Sequence, residues 1–326
     1  MKSLVIGSNS FSGSYYVDYL LNKKHNVVGV SRSKEVKNVY LKYKNNIHIR
    51  NFKYYKIDLN KNLIKLFNII KKFRPDYIIN FSSQGMVAES WRNPQDWYNT
   101  NTLSTIKLHD FLRKQKFLKR YIHFGTPEVY GSTKVNHRES DKFNPSTPYA
   151  ISRAAADLSL ISFGKFYKFP FIITRASNVY GPGQQLYRII PIVILNTLEN
   201  KKIKLHGGGF SKRSFIHMDD VSSATYKIML HGKLYNTYHI STKKIISIKD
   251  LTNKIILKLR GSRKLIKNTK DRLGKDKIYF MNSNKLRKLN WRDKISLDKG
   301  IDETITWVKK NYSLLKKEKR IYVHKK

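Results

Sequence analysis

The 326-residue sequence has no cysteine, which excludes disulfides, thiolate metal sites and a cysteine nucleophile. Its 10 histidines never fall into a metal-binding spacing such as His-Glu-x-x-His, so no metal is expected. Acidic residues are scarce: 22 Asp and Glu stand against 65 Lys and Arg, a formal net charge of +43. Such a surface attracts phosphate backbones without any sequence code. The basic residues, however, are spread from Lys2 to Lys326, and no helix-turn-helix, RNA-recognition or zinc-finger signature is present, so no specific nucleic-acid partner is expected. Long apolar runs are missing as well. None approaches the roughly 20 residues of a membrane helix, and the start "MKSLVIGSNSFSG" lacks the apolar stretch and cleavage site of a signal peptide. A cytoplasmic protein without membrane contact is the expectation, and the tail "LLKKEKRIYVHKK" reads as a solvated end.

What is present is enough apolar material for a core, 40% hydrophobic and 13% aromatic residues. Short runs rich in β-branched and aromatic residues recur: "LVIG" (4–7), "NVVGVS" (26–31), "YYKIDL" (54–59), "YIINFS" (77–82), "RYIHFG" (120–125) and "FIITRAS" (171–177). Helical patterns such as 61–72 and 96–116 lie between them. Strand, helix, strand in alternation predicts an α/β fold with a doubly wound parallel sheet of Rossmann type, whose ligands sit at the carboxyl ends of the strands. After Gly181 the rhythm breaks into "GPGQQLYRIIP", "HGGGFSKRSF" and charged segments. We read residues 1–180 as a dinucleotide-binding domain. Residues 181–326 read as a smaller mixed α/β lobe that holds substrate, with some elements packing back on the first domain.

The first strand runs directly into "GSNSFSGSYYVDYLL". Gly7 ends it and Gly13 opens a helix, where glycines let the backbone turn tightly and approach a pyrophosphate at the helix N-terminus. Gly7, Ser10, Phe11 and Gly13 are therefore candidate cofactor-binding residues. The second strand ends in "VSRS", without the carboxylate that holds the ribose hydroxyls of NAD. Ser31 and Arg32 lean towards the 2′-phosphate of NADP; alternatively Arg32 is a solvated loop residue. Asp58, with Leu59 beside it, closes the third strand, either next to the adenine or as the cap of the helix expected near Lys61. Asp219 and Asp220 read as caps of the following helix.

In "TPYAISRAAAD" (147–157), Thr147 as cap and Pro148 at the first helical position put Tyr149 in an opening turn, with Arg153 one turn later on the same face. A phenol is a poor base at its usual pKa near 10, but a neighbouring cation favours phenolate. By itself the pair also fits an ordinary surface contact. Upstream, "TPEVYGS" delivers Thr126 and Glu128 at a strand's carboxyl end, and "RASNVYGPGQQLYRIIP" follows the sixth strand.

Taken in order, "GSNSFSG", "SSQGMVAESW", "TPEVYG", "PYAISRAAAD", "RASNVYGP", "RSFIHMDDV", "DRLGKDKIYF" and "LNW" resemble the nucleotide-sugar 4,6-dehydratases of the extended short-chain dehydrogenase/reductase superfamily, in particular those acting on dTDP-glucose and GDP-mannose. The resemblance implies a tightly held NAD or NADP that is recycled, and a nucleotide-sugar substrate. It gives Tyr149 the removal of the 4-hydroxyl proton, Glu128 the removal of the C5 proton and Thr126 a hydrogen bond to the 4-oxygen, and it places Arg153 beside the cofactor. The product would be a 4-keto-6-deoxy sugar nucleotide. Ser82, Ser83 and Gln84 would lie along cofactor and sugar, and Asn178, Arg213 and Arg272 would hold the nucleotide. Two positions depart from the pattern: Pro127 stands where dTDP-glucose enzymes have an aspartate acid, and Arg153 stands in place of a lysine. A related epimerase, reductase or decarboxylase is the alternative, and a weakly catalytic cofactor-binding partner protein is the non-enzymatic one. By analogy, a homodimer is expected through the helices at 96–116 and 149–165.

Overall fold

The structure is a computed structural model and describes residues 1–132, 136–271 and 278–324. Its strands are β1 (Lys2–Ile6), β2 (Asn26–Ser31), β3 (Phe52–Lys56), β4 (Tyr77–Asn80), β5 (Arg120–Phe124), β6 (Phe171–Ala176), β7 (Asn178–Tyr180), β8 (Ile203–His206), β9 (Lys212–Arg213), β10 (Phe215–His217), β11 (Asn236–Ile240), β12 (Ile246–Ser247), β13 (Ile266–Thr269) and β14 (Ile278–Tyr279). Its helices are α1 (Phe11–Asn22), α2 (Leu63–Phe73), α3 (Val87–Ser90), α4 (Pro94–Trp97), α5 (Thr105–Leu112), α6 (Pro148–Tyr167), α7 (Ile189–Leu198), α8 (Met218–His231), α9 (Ile248–Lys258), α10 (Asn284–Arg287), α11 (Leu297–Lys310) and α12 (Tyr312–Leu315).

Seven strands form one parallel sheet in the order β11-β6-β5-β4-β1-β2-β3. The apolar runs are nearly continuous because both faces are covered. Val5, Val27, Ile79, Ile122 and Ile172 pack under α1 and α8, whereas their neighbours Leu4, Val28, Ile78, Tyr121 and Ile173 pack under α2, α5 and α6. A third core joins α7, α9 and α11 through Ile190, Ile194, Leu251, Ile255, Ile301 and Val308. Small sheets edge this lobe: β7 pairs with β10, β8 with β13, and β9 lies between β12 and β14. The order of the large sheet reverses between β1 and β4, which opens a crevice beyond their carboxyl ends. Among the described residues, no helix is long and apolar enough to cross a membrane.

Several sequence expectations are corrected. The helix expected over 96–116 is three pieces: α4, a π-helical stretch over Tyr98–Ser104, and α5 ending at Leu112. The polar run "YNTNTLST" supplies the cause. The Thr105 hydroxyl donates to the Thr100 carbonyl at 3.1 Å, and Asn101 and Thr102 turn inward to Ser152, the kind of widened turn that side-chain insertion produces. The third strand stops at Lys56, so Asp58 lies beyond it, and α2 starts at Leu63 with Asn62 at its cap position. Asp58 does not cap; its carboxylate accepts from the Asn60 N–H at 2.8 Å and closes a turn. Helix α8 is capped by His217, whose Nδ1 accepts from the Asp219 N–H at 3.3 Å. Asp220 instead accepts from the N–H groups of Lys294 and Ile295, each at 2.9 Å. Nor is the tail solvated throughout: Arg320 and His324 keep only 15% of their side-chain surface exposed.

Candidate functional site

At the crevice the backbone is as tight as the glycines suggested. Gly7 has φ +86°, and a Cβ on it would lie 2.8 Å from the Ser82 nitrogen; a Cβ on Gly13 would lie 2.1 Å from the Gly7 oxygen. Neither contact is possible, so both positions need glycine, and the backbone turns tightly there into the N-terminus of α1. Ser10 is the N-cap of α1, its Oγ accepting from the Gly13 N–H at 3.0 Å. Phe11 follows as the first helical residue and is buried.

Ser31 ties the end of β2 to this turn, its Oγ accepting from the Asn9 N–H at 2.9 Å. Arg32 reaches across the crevice, with Nη1 3.5 Å from Gln84 Oε1. Glu35, the next carboxylate along the chain, is turned away and held by the Tyr43 hydroxyl and Lys44 Nζ, both at 2.7 Å. Leu59 is buried behind Asp58. Beyond β4, Asn80 Oδ1 accepts from the Ser82 N–H at 2.9 Å and from its hydroxyl at 2.5 Å, while Ser83 is exposed. Gln84 is buried and clamped through its backbone: its N–H donates to Asn101 Oδ1 at 2.7 Å, and Asn101 Nδ2 donates back to its carbonyl at 3.0 Å.

The proposed reacting groups converge at the ends of β5 and α6. Thr126 caps a 3-10 turn over Pro127–Tyr130, its Oγ1 accepting from the Glu128 N–H at 3.3 Å. Thr147 caps α6 and Pro148 occupies its first turn, which fixes Tyr149 over the strand ends. The Tyr149 phenol hydrogen-bonds Thr126 and feels the charges of Arg153, Glu128 and Arg188. Burial pushes its pKa above the ordinary value; Arg153, Thr126 and Arg188 pull it down, Glu128 adds to the rise, and burial prevails. In the protein alone the phenol therefore keeps its proton at neutral pH, although a cation lies beside it.

Arg153 is buried and directs its fork at backbone, Nη1 towards the Ser82 carbonyl at 3.4 Å and Nη2 to the Phe124 carbonyl. Its Nη2 also lies 3.4 Å from His123 Nε2. A lysine has one compact ammonium; the guanidinium here spans the ends of β4 and β5. Beneath it, Arg175 and Asp157 form a fully buried pair at 2.5 Å. Arg175 also donates to the Tyr130 hydroxyl at 3.1 Å and the Thr126 carbonyl at 3.4 Å, which fixes the turn that presents Glu128. His123 stands 3.4 Å from Asp157. Burial, then Arg153 and Arg175, push its pKa far below the usual range, so this contact is made by a neutral ring.

Asn178 and Arg213 lie at another edge. Asn178 is exposed on β7, its N–H donating to the Ser214 carbonyl at 3.1 Å, and Arg213 precedes that serine on β9. Arg272 lies outside the described residues. Residues not singled out from sequence also face the site: Asn101, which joins the Gln84 loop to α6 through the Ser152 hydroxyl at 3.0 Å, and Arg188, which acts on Tyr149. The signals were weak ones, a polar run inside a helix and one arginine among many.

Parallel topology, the glycine turn and the Tyr149, Thr126 and Glu128 group together define an extended short-chain dehydrogenase/reductase of the epimerase/dehydratase class. Within it, the chain belongs to the GDP-mannose 4,6 dehydratase family, whose model matches residues 4–304. The dTDP-D-glucose 4,6-dehydratase of Dictyostelium discoideum is 31% identical over 95% of this chain and 82% of its own length. Among solved structures, the dTDP-glucose 4,6-dehydratase of Streptomyces venezuelae with NAD bound superimposes with a TM-score of 0.89 at 25% identity, covering 96% of this chain and 98% of that one. The UDP-glucose 4-epimerase of Thermotoga maritima with UDP-glucose reaches 0.87 at 25% identity, covering 96% of this chain and all of its own.

Proposed function

We propose that the protein is a nucleotide-sugar 4,6-dehydratase, converting a hexose nucleotide into its 4-keto-6-deoxy derivative. The observation that carries this reading is the carboxylate Glu128 set two residues beyond Thr126 and within electrostatic reach of Tyr149, because a 4-epimerase requires no base for C5. The glycine cradle and Arg32 suit a nicotinamide dinucleotide, which when bound supplies the acceptor and later the donor of the hydride. Tyr149 takes the proton of the sugar 4-hydroxyl as C4 is oxidised, and Thr126 orients that oxygen. Glu128 then removes the C5 proton, made acidic by the adjacent ketone. With proline at 127, Glu128 also delivers a proton to the C6 oxygen as water leaves. Arg153 positions the strand ends and lowers the phenol pKa. Asn178, Arg213 and Arg272 bind the nucleotide's phosphates and base side.

The β2 end favours NADP over NAD, since Ser31 and Arg32 stand where no carboxylate is available; titration with both should show Arg32→Ala losing affinity for NADP more than for NAD. Residues 1–180 carry the dinucleotide and 181–326 mainly the nucleotide sugar. We further propose a cytoplasmic homodimer, paired through the outer faces of α5, the π-helical stretch and α6, where Leu103, Ile151 and Leu158 are 54%, 42% and 51% exposed. Mass spectrometry after incubation with dTDP-glucose, UDP-glucose and GDP-mannose tests the activity. A product one water lighter is expected from one of them, abolished in Glu128→Gln; an isomer of unchanged mass from all three would refute the reading.

A further inference from the structure

Beyond α12 the described residues, through 324, stay on the protein. Glu318 pairs with Lys37 at 2.5 Å, and Arg320 Nη1 binds Glu199 Oε2 at 2.8 Å and Asn196 Oδ1 at 3.1 Å on the end of α7. Tyr322 then packs edge-on against Tyr187, ring centres 5.7 Å apart, and its hydroxyl accepts from Gln84 Nε2 at 3.1 Å. Two residues on, His324 Nδ1 lies 3.0 Å from the same Nε2, and His324 Nε2 lies 2.6 Å from Asp96 Oδ2. Its ring stacks on the buried Trp97 at 5.0 Å, the planes 6° apart.

These contacts assign the hydrogens. Asp96 accepts only, so His324 donates from Nε2 and Nδ1 is left as an acceptor; Gln84 Nε2 then has an acceptor for each of its two hydrogens, and Oε1 faces Arg32. Turning the amide over would set its oxygen against the His324 Nδ1 lone pair and its NH2 group against the Arg32 donor, so His324 and Arg32 together give Gln84 one orientation, and the Tyr322 hydroxyl accepts in it. The segment begins on the lobe of α7 and ends on the α4 side of the large sheet, crossing beside Arg32, Tyr187 and Gln84.

We propose that residues 318–324 form a strap across the mouth of the cleft, with Tyr322 and His324 acting as positioning residues on Gln84, so that bound dinucleotide and nucleotide leave only when the strap lifts. The proposal rests on the reading of the Gln84 loop as lying along the ligands. Its anchors are a few side-chain contacts and two aromatic packings, strong enough to hold a segment and weak enough to open within a turnover.

Two measurements on the full chain test it: release of NADH followed by stopped-flow fluorescence, and backbone-amide exchange of residues 318–324 with and without NADH and dTDP. His324→Ala and Tyr322→Phe should release NADH faster, on the order of 10-fold for the alanine variant, with unchanged melting temperature. His324→Asn, which restores an acceptor towards Gln84, should release it more slowly than the alanine variant. The strap amides should exchange more slowly when the ligands are bound. Wild-type release rates in the alanine and phenylalanine variants, or exchange that ignores the ligands, would overturn the strap. Failure of the dehydratase reading shows separately, as wild-type protein whose NADH release depends on the strap while no nucleotide sugar loses water.

Discussion

In the proposed reaction Tyr149 concentrates the chemistry and the electrostatics in one side chain. Its pKa is raised first by burial, with Arg153 opposing, so the fraction of phenolate grows with pH throughout the neutral range. Turnover limited by C4 oxidation should therefore climb with pH, at most 10-fold per unit, and level off only in the alkaline range. Tyr149→Phe should lower kcat by roughly 100- to 10,000-fold and erase that limb. Arg153→Lys should keep it, since a positive charge remains. Gly13 offers a test of a different kind. Its missing Cβ is the reason α1 can approach β1, and Gly13→Ala should destabilise the fold by more than about 1 kcal/mol, read by urea unfolding, while weakening dinucleotide binding.

At the level of elements, the outer faces of α6 and the π-helical stretch expose leucine and isoleucine where a charged surface would be ordinary for so basic a chain. Leu158→Lys should convert the proposed dimer to monomer by sedimentation velocity without altering the far-ultraviolet spectrum. The strands were legible from sequence because a strand buried on both faces is apolar at nearly every position, as in "YII" of β4 and "FII" of β6. The opening of α6 was legible because Thr147 and Pro148 are local signals. The break at Tyr98–Ser104 was not, since it depends on Asn101 meeting Gln84 and Ser152, 17 and 51 positions away. The tail was opaque for the same reason. Tyr322 and His324 find partners 238 and 240 positions earlier, and among so many lysines nothing in "KRIYVHKK" marks a docked segment. Tyr149, Thr126 and Glu128 were legible as a group only through the order of several motifs, because Tyr-x-x-x-Arg alone describes many helices.

Across the whole molecule, buried histidines set the acid limit. His25 and His217 are pushed down to about 4 and His239 to about 3, burial leading in each case, and His109 and His123 lie well below 6.5. The native protein keeps these rings neutral, whereas the unfolded chain protonates them once pH falls below about 6.5. Their stabilising contribution is thus complete above that pH and is lost on acidification, by up to about 1.4 kcal/mol per unit for each ring until its native pKa is reached. The raised carboxyls of Glu139 and Asp220 oppose this, but they are two against five. A steep fall in melting temperature between pH 6.5 and about 4 is expected by calorimetry, and added salt at neutral pH should raise it, because a net charge of +43 repels itself.

The place of β11 bears on how the chain assembles as it is made. This strand pairs with β6 and finishes the large sheet from residues 236–240, after the first elements of the second lobe have already been synthesised. Until it arrives, the β6 edge, Phe171 to Ala176, stands open with every side chain of a buried strand beside it. A nascent chain interrupted near residue 180 would therefore present a bare apolar edge to its neighbours, and the ribosome must deliver some sixty further residues before the large sheet can close.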